Sequence, residues 1–252
     1  MIKEKLDPDE IFPDGLDYLY FESIDSTNKY AKENSNTISN AVIVAENQYS
    51  GVGKNSTSWW SSPYRSILTT LVLSVDMEPD KISMFPLFIG AMIHEVLEAN
   101  GISSSIKWPN DIYLAGRKLA GILCESVIKD GRVEKLIIGF GININQTPEE
   151  LIEGNMTSLY NYTGREFNRR ELLAEILTSI FSRVKDPIED KMAFAERIVG
   201  ENLYLKGEEV EFLADRLYRG TLLGINNKGE IILLTEDGPK EFLSGKILIE
   251  KI

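Results

Sequence analysis

A single cysteine, Cys124, stands in the 252-residue chain, so no disulfide can form within it, and its aliphatic setting in "AGILCES" suits a small core hydrophobe. The one histidine, His94 in "MIHEVLE", has no Cys or His partner at metal-ligand spacing and reads as an ordinary helix residue. Neither Ser126 nor Cys124 has a base nearby in sequence, which leaves nucleophilic triad chemistry without support. No block of basic residues occurs; with 27 Lys and Arg against 39 Asp and Glu the net charge is -12, and the chain as a whole repels phosphate backbones. Specific nucleic-acid binding is not expected. No stretch is read as reaching the roughly 20 apolar residues that span a bilayer, and the start "MIKEKLDPDEIFPDG" is acidic and proline-broken, unlike a signal peptide. These features predict a cytoplasmic protein without membrane partners.

What the chain does have is 43% apolar residues, enough to bury the core of one large domain plus a small one. "SIDSTNKYAKEN" offers Asp25 or Ser26 as the N-cap of a short helix. "AVIVAEN" and "SILTTLVLSV" are β-branched runs of strand length, joined by a long polar loop, "QYSGVGKNSTSWWSSPYR". "KISMFPLFIGAMIHEVLEANG" has helical spacing and a glycine suited to its C-cap, and "SIKWPN", "KLAGILCESVI" and "VEKLIIGFGININ" follow as strands of one sheet. Two further helices, "RRELLAEILTSIFSRVKD" and "EDKMAFAERIVGENL", precede a change of texture near Leu205. From there short strands alternate with turn signals. The expectation is an α+β catalytic domain over 1–204 and a small β-barrel over 205–252.

"GVGK" falls short of a Walker loop, because Gln48 and Asn55 occupy the positions that need Gly and Ser or Thr. Glycines, one cation and the adjacent Trp59 and Trp60 can still close over a flat ring and a phosphate. In "IIGFGININ" two glycines and two asparagines end a strand, a spacing that lets a backbone approach a ligand, although a tight bulge accounts for it nearly as well. "KWPNDIYLAGRKLAGILCE" places Lys107 and Lys118 each at the start of an apolar stretch, where cations are costly unless they have a task.

Taken in order, "IDSTN", "AENQYSGVGK", "SWWSSP", "KWPNDIYLAGRKLAGILCE", "IGFGININ" and the terminal "SGKI" resemble the biotin protein ligases over nearly the whole chain. The resemblance implies a class II synthetase-like mixed sheet with flanking helices, in the form without an N-terminal DNA-binding domain, and thus a ligase only. It implies that biotin is activated with ATP and Mg²⁺ to biotinyl-5'-AMP and passed to a lysine of a biotin carboxyl carrier domain, by a monomer or homodimer. Lys118, and secondarily Lys107, would then be the cations offsetting charge at the edge of a biotin cavity. By position in the motifs, Ser26, Thr27, Asn28, Gln48, Gly51, Gly53, Lys54 and Gly121 would bind biotin, the two loop glycines letting the loop close. Lys54, Trp59, Asn110, Asp111, Lys118 and Asn143 would bind the nucleotide, with Trp59 on adenine, Asn110 and Asn143 at its edge, and Asp111 at metal or nucleotide; metal ligands stay unassigned.

The chain departs from the family where many ligases read Gly-Arg-Gly-Arg, for it has Val52 and Lys54 at the arginine places. Lys54 keeps a charge without the bidentate fork, so the adenylate would be held less tightly. Two alternatives use the same scaffold: a lipoate or octanoate ligase, and a non-catalytic biotin sensor.

Overall fold

The computed structural model describes residues 5–6, 16–54, 57–151 and 155–249. A seven-stranded sheet forms the centre, in the order β1 (Asp17–Phe21), β2 (Ala41–Ala45), β5 (Ser66–Met77), β9 (Arg132–Asn143), β8 (Arg117–Lys129), β7 (Asp111–Leu114) and β6 (Ser105–Lys107). Only β1 and β2 run parallel; the other pairs are antiparallel. Between β2 and β5 the expected long loop carries a small hairpin, β3 (Gly51–Val52) with β4 (Ser58–Trp59). Its tip residues, Asn55 and Ser56, lie outside the described residues.

Period-two alternation divides the sheet into two faces. Val42, Val44, Leu71 and Ile138 point into the main core, against α2 (Phe85–Ala99), α4 (Arg169–Arg183) and α5 (Ile188–Asn202). Ile43, Val72 and Ile137 point the other way, into a smaller cluster under α1 (Thr27–Glu33) that includes Ala31. Beyond that cluster the second face of β9 changes from Ile137 to Gly139, Gly141 and Asn143, and the functional region lies there.

Several expectations change in detail. Of "SIKWPN" only Ser105–Lys107 is strand; Trp108, Pro109 and Asn110 form a turn with a cis Trp108–Pro109 bond, and "DIYL" is a separate strand. The second turn, at Ala115 and Gly116, has positive φ at both residues, as a tight two-residue hairpin requires. The short α3 (Leu159–Thr163) is not foreshadowed by any long apolar period. The run Pro79–Ala99 is long and apolar enough by length and composition to cross a membrane, contrary to the sequence expectation, but 67% of it is buried in the core. His94 lies on it, buried, with Nδ1 2.8 Å from Ser104 Oγ, and burial pushes its pKa down.

Past residue 205 five antiparallel strands follow: β10 (Glu209–Leu213), β11 (Leu217–Ile225), β12 (Ile231–Thr235), β13 (Gly238–Phe242) and β14 (Lys246–Ile249). They pair in the order β13-β12-β11-β10-β14, so the expected barrel is a sheet in which β13 and β14 are the two ends. The sheet curls strongly. Phe212 on β10 and Phe242 on β13 have ring centroids 4.8 Å apart although two strands, β11 and β12, lie between them in the pairing order. This sheet is not insulated from the large one, because Trp108 donates its indole N–H to Gly229 O at 2.8 Å and meets Phe212 at 5.9 Å. Both sheets share one continuous core.

Candidate active site

Ser26 caps α1, its hydroxyl accepting from Lys29 N at 3.4 Å. The cap places Thr27 and Asn28 in the first turn, buried against β5 and β9. Thr27 donates to Gln48 Oε1 through both its backbone N–H, at 2.7 Å, and its hydroxyl, at 3.0 Å. With that oxygen taken, the Gln48 side chain has its NH₂ group to offer a ligand. Thr70 donates to Asn28 Oδ1 at 2.6 Å, which fixes the amide's orientation and directs Nδ2 toward Leu123 O and Glu125. Asn28 Oδ1 stands where a side chain on Gly139 would have to be, 1.9 Å from that notional Cβ. A small polar pocket of about 30 Å³, room for roughly one water molecule, is lined by Ser26, Thr27, Asn28, Gln48 and Trp59.

Gly121 and Gly141 are paired across β8 and β9 and leave a bare patch on the same face. The Trp59 indole lies on it: a Cβ at Gly141 would come within 2.6 Å of Trp59 Nε1, and one at Gly121 within 3.0 Å of its ring and 3.4 Å of Lys118 Nζ. The space over the glycines, expected from sequence to receive a ligand, is taken by side chains of the chain itself, Trp59, Asn28 and Lys118. Trp59 Nε1 is buried with no hydrogen-bond partner among the described residues.

Next to the polar pocket lies a cavity of about 370 Å³, which shares Leu123 with it. Its walls bring together Gly53, Lys54, Lys107, Asn110, Asp111 and Lys118. Asn110 is locked to β8 by two bonds, Nδ2 to Ile122 O at 2.9 Å and Ile122 N to its own carbonyl at 2.8 Å. A bulge between Ile112 and Tyr113 on β7 leaves Leu119 as the extra residue of β8 and re-aims Lys118. Lys118 is held further by backbone bonds to Asn155 and Thr157. Its ammonium lies 2.8 Å from Asp111 Oδ1, in ionic contact without hydrogen-bond alignment, and 5.5 Å from the Trp59 ring centre.

Lys107 donates to the Tyr113 hydroxyl at 3.0 Å and lies 4.7 Å from that ring and 5.9 Å from the Tyr204 ring. Burial pulls its pKa from 10.5 down to about 8; Asp111 opposes the shift, and repulsion from Lys118 and Lys246 adds to it. Burial also pushes the Tyr113 hydroxyl up, so it stays a protonated phenol. Lys54 sits at the cavity mouth, 6.0 Å from the Trp108 ring, and loss of hydration lowers its pKa against the pull of Asp111.

Two predicted residues, Gly51 and Asn143, fall outside these groups. Gly51 is in the hairpin, with Trp59 O 2.5 Å from its notional Cβ, so it is needed for the hairpin to close. Asn143 lines neither cavity: it is buried, its Oδ1 accepts from Gln146 Nε2 at 2.8 Å, and its Nδ2 is buried without a partner among the described residues. Trp59 lines the smaller pocket and is not among the residues that line the larger one. Sequence reasoning missed Tyr113, Tyr204 and Lys246; Tyr113 lies inside "KWPNDIYL" and Lys246 inside "SGKI", so both were within motifs already recognised. Cys124 is half-buried, with its thiol pKa pushed up by burial, which makes it unreactive.

A model of the Biotin/lipoate A/B protein ligase family matches residues 20–143. The bifunctional ligase/repressor BirA of Bacillus subtilis is 30% identical over 246 residues, covering 92% of this chain and 74% of that protein. The chain belongs to the biotin protein ligase family. Among other members, the biotin–[acetyl-CoA-carboxylase] ligase of Paracoccus denitrificans is 30% identical over 167 residues, 63% of this chain and 69% of that ligase. The solved biotin protein ligase of Aquifex aeolicus, in complex with biotin and ATP, superposes with a TM-score of 0.77 at 30% identity, over 92% of this chain and 97% of that one. The mixed sheet, the flanking helices and the added C-terminal sheet are therefore those of the family.

Proposed function

We propose that this biotin protein ligase joins the biotin carboxylate to the α-phosphate of ATP, releases pyrophosphate, and then passes biotin from the adenylate to a lysine amine on a carrier domain such as that of acetyl-CoA carboxylase. The observation that carries this reading is the adjacency of two unlike cavities. One is small and polar, the other larger and cationic, and they share Leu123, with Gly141 lining the first and its strand partner Gly121 the second. An acid anchored in the first has its carboxylate delivered to a phosphate held in the second, which is the geometry adenylation needs.

Ser26, Thr27, Asn28 and Gln48 supply both donors and acceptors, as a ureido group requires. Trp59, lining the first cavity, meets the part of the ligand that leads to the second. Lys118 stabilises the charge that develops on the α-phosphate, with Lys107 behind it, because preorganised cations in a partly dry cavity cost no reorganisation when charge moves. Lys54 and Gly53 close the mouth, Asn110 presents an amide fixed by β8, and Asn143 braces the end of β9 through Gln146.

Mg²⁺ ordinarily uses one or two carboxylates plus substrate phosphates. Asp111, the carboxylate that lines the larger cavity, fits that pattern, and no three-residue cluster of His, Cys, Asp or Glu occurs among the described residues. Bound beside Asp111, the ion would offset the charge of the triphosphate.

The test is ATP–pyrophosphate exchange driven by biotin, followed by mass spectrometry of a carrier domain incubated with the enzyme. Exchange driven by lipoate or octanoate and not by biotin would move the chain to the other branch of the family. No exchange with any of the three acids, despite biotin binding, would make it a sensor.

A further inference from the structure

We propose that Lys246, on β14 of the C-terminal sheet, binds the pyrophosphate end of the nucleotide during adenylation. The proposal rests on the ligase reading above and extends it to a residue in the second sheet.

Four lysines, Lys54, Lys107, Lys118 and Lys246, line the larger cavity, and Asp111 is the acid that lines it among the described residues. This concentration of positive charge belongs to a chain whose net charge is -12. Like charges brought together in a partly dehydrated cavity repel one another, and a fold keeps such a cluster at a cost that a polyanion can offset. Burial first, and then repulsion from Lys118 and Lys246, loosens the proton on Lys107.

The four are not equivalent. Lys118 is paired with Asp111 and stands beside Gly121 and Trp59, the latter lining the polar pocket, and there the acid and the α-phosphate meet. Lys107 is half-buried between two tyrosines. Lys246 reaches the cavity from the C-terminal sheet with Gly245 and Ile247 and is exposed to solvent, where a departing group can meet it. Its place is set by packing: Ile247 is buried, and Gly245, with φ of +154°, fits against Phe212, 2.3 Å from that ring at its notional Cβ. Phe212 in turn packs on Trp108 of the catalytic turn. The second sheet is thus keyed into the large one at the point that presents Lys246 to the cavity.

In the step concerned, a carboxylate oxygen of biotin forms a bond to Pα while the bond from Pα to the α,β-bridging oxygen breaks. Pyrophosphate leaves with that oxygen and its electron pair, and so carries away most of the triphosphate's negative charge. A cation that meets the departing group favours this departure and, by microscopic reversibility, favours pyrophosphate binding in exchange. It has no corresponding role once the adenylate has formed.

The experiment compares wild type with Lys246→Ala, Lys246→Glu and Lys246→Arg by calorimetric binding of pyrophosphate and by the KM for ATP in biotin-dependent exchange. Alanine should weaken both about tenfold and glutamate more, since one charge-assisted phosphate contact has about that effect. Arginine should restore them to within about threefold, and transfer of biotin from premade biotinyl-adenylate to a carrier domain should stay within about twofold of wild type in all variants. Unchanged pyrophosphate binding in Lys246→Glu overturns the proposal, and so does an equal loss in the transfer step, which would point to the adenylate or to the fold. If wild type binds pyrophosphate through Lys246 yet shows no biotin-driven exchange, the assignment of Lys246 stands and the ligase reading falls.

Discussion

Lys118 Nζ and Asp111 Oδ1 stand 2.8 Å apart in the larger cavity, so the cation proposed to act on the α-phosphate is already engaged by a carboxylate. A phosphate that enters must draw Lys118 away from this partner, and the ammonium is thereby pre-positioned and not left to search. Lys118→Ala should lower biotin-dependent exchange by more than a hundredfold, from a loss on the order of 3 kcal/mol of transition-state stabilisation. Its Tm should change little, because the side chain lies at a cavity edge and its strand is held by backbone bonds. Exchange at the wild-type rate in the variant would remove Lys118 from the chemistry.

Lys107 gives the site a pH dependence. With a folded pKa of about 8 against 10.5 in the unfolded chain, it loses its charge in the native state first. Between those values the unfolded state binds more protons, so stability should rise with pH across that window. Function runs the opposite way: the KM for ATP should increase as pH passes about 8, because the charged form attracts the nucleotide. Steady-state exchange from about pH 7 to 9.5 checks this. Lys107→Arg should flatten the profile, and Tyr113→Phe should shift it to lower pH by removing the hydroxyl that accepts from the ammonium.

The mouth residue Lys54 replaces the family's arginine with a point charge. If the loop holds the adenylate through that cation, Lys54→Arg should slow adenylate release and Lys54→Ala should speed it, while the Tm of the free protein stays the same. A chase of labelled adenylate with unlabelled biotin and ATP measures the rates. Equal rates in all three proteins would assign retention to the hairpin backbone and Trp59.

Away from both cavities, Arg169 Nη1 meets Glu46 Oε2 at 2.8 Å with both side chains buried, and Arg169 also donates to Ser66 O at 3.0 Å. Glu46 Oε1 accepts from Leu6 N, so the pair ties the N-terminal segment, β2, β5 and α4 together. Arg169→Met leaves a buried carboxylate without its counter-charge and should cost about 3–5 kcal/mol in urea unfolding. Adding Glu46→Leu should recover much of it. The KM values of whatever remains folded should not move.

The α+β sheet, the cap at Ser26 and most helices could be read from sequence because each rests on a local pattern: alternation, a capping hydroxyl, a period of 3.6. The glycines at 139 and 141 announced a close approach, but not what would come close, since Asn28 and Trp59 arrive from distant segments. Tyr113, Tyr204 and Lys246 were hidden for the same reason. Each is unremarkable in its own strand or turn and acquires meaning only when three separate pieces of chain meet around Lys107. The small C-terminal β unit was legible in the spacing of its turns, whereas its strand order depends on long-range pairing, which that spacing does not encode.

Trp108 belongs to the turn between two strands of the large sheet, yet its N–H is satisfied by Gly229 and its ring by Phe212, both in the C-terminal β unit, while the next residues, Pro109, Asn110 and Asp111, build the cationic cavity. The texture change near residue 205 therefore marks a boundary in composition and not one in cooperativity. Melting should be a single transition, and a fragment ending at 204 would strand an indole donor and expose the flank of the catalytic turn. The last fifth of the polypeptide is in that sense the keystone of the active site.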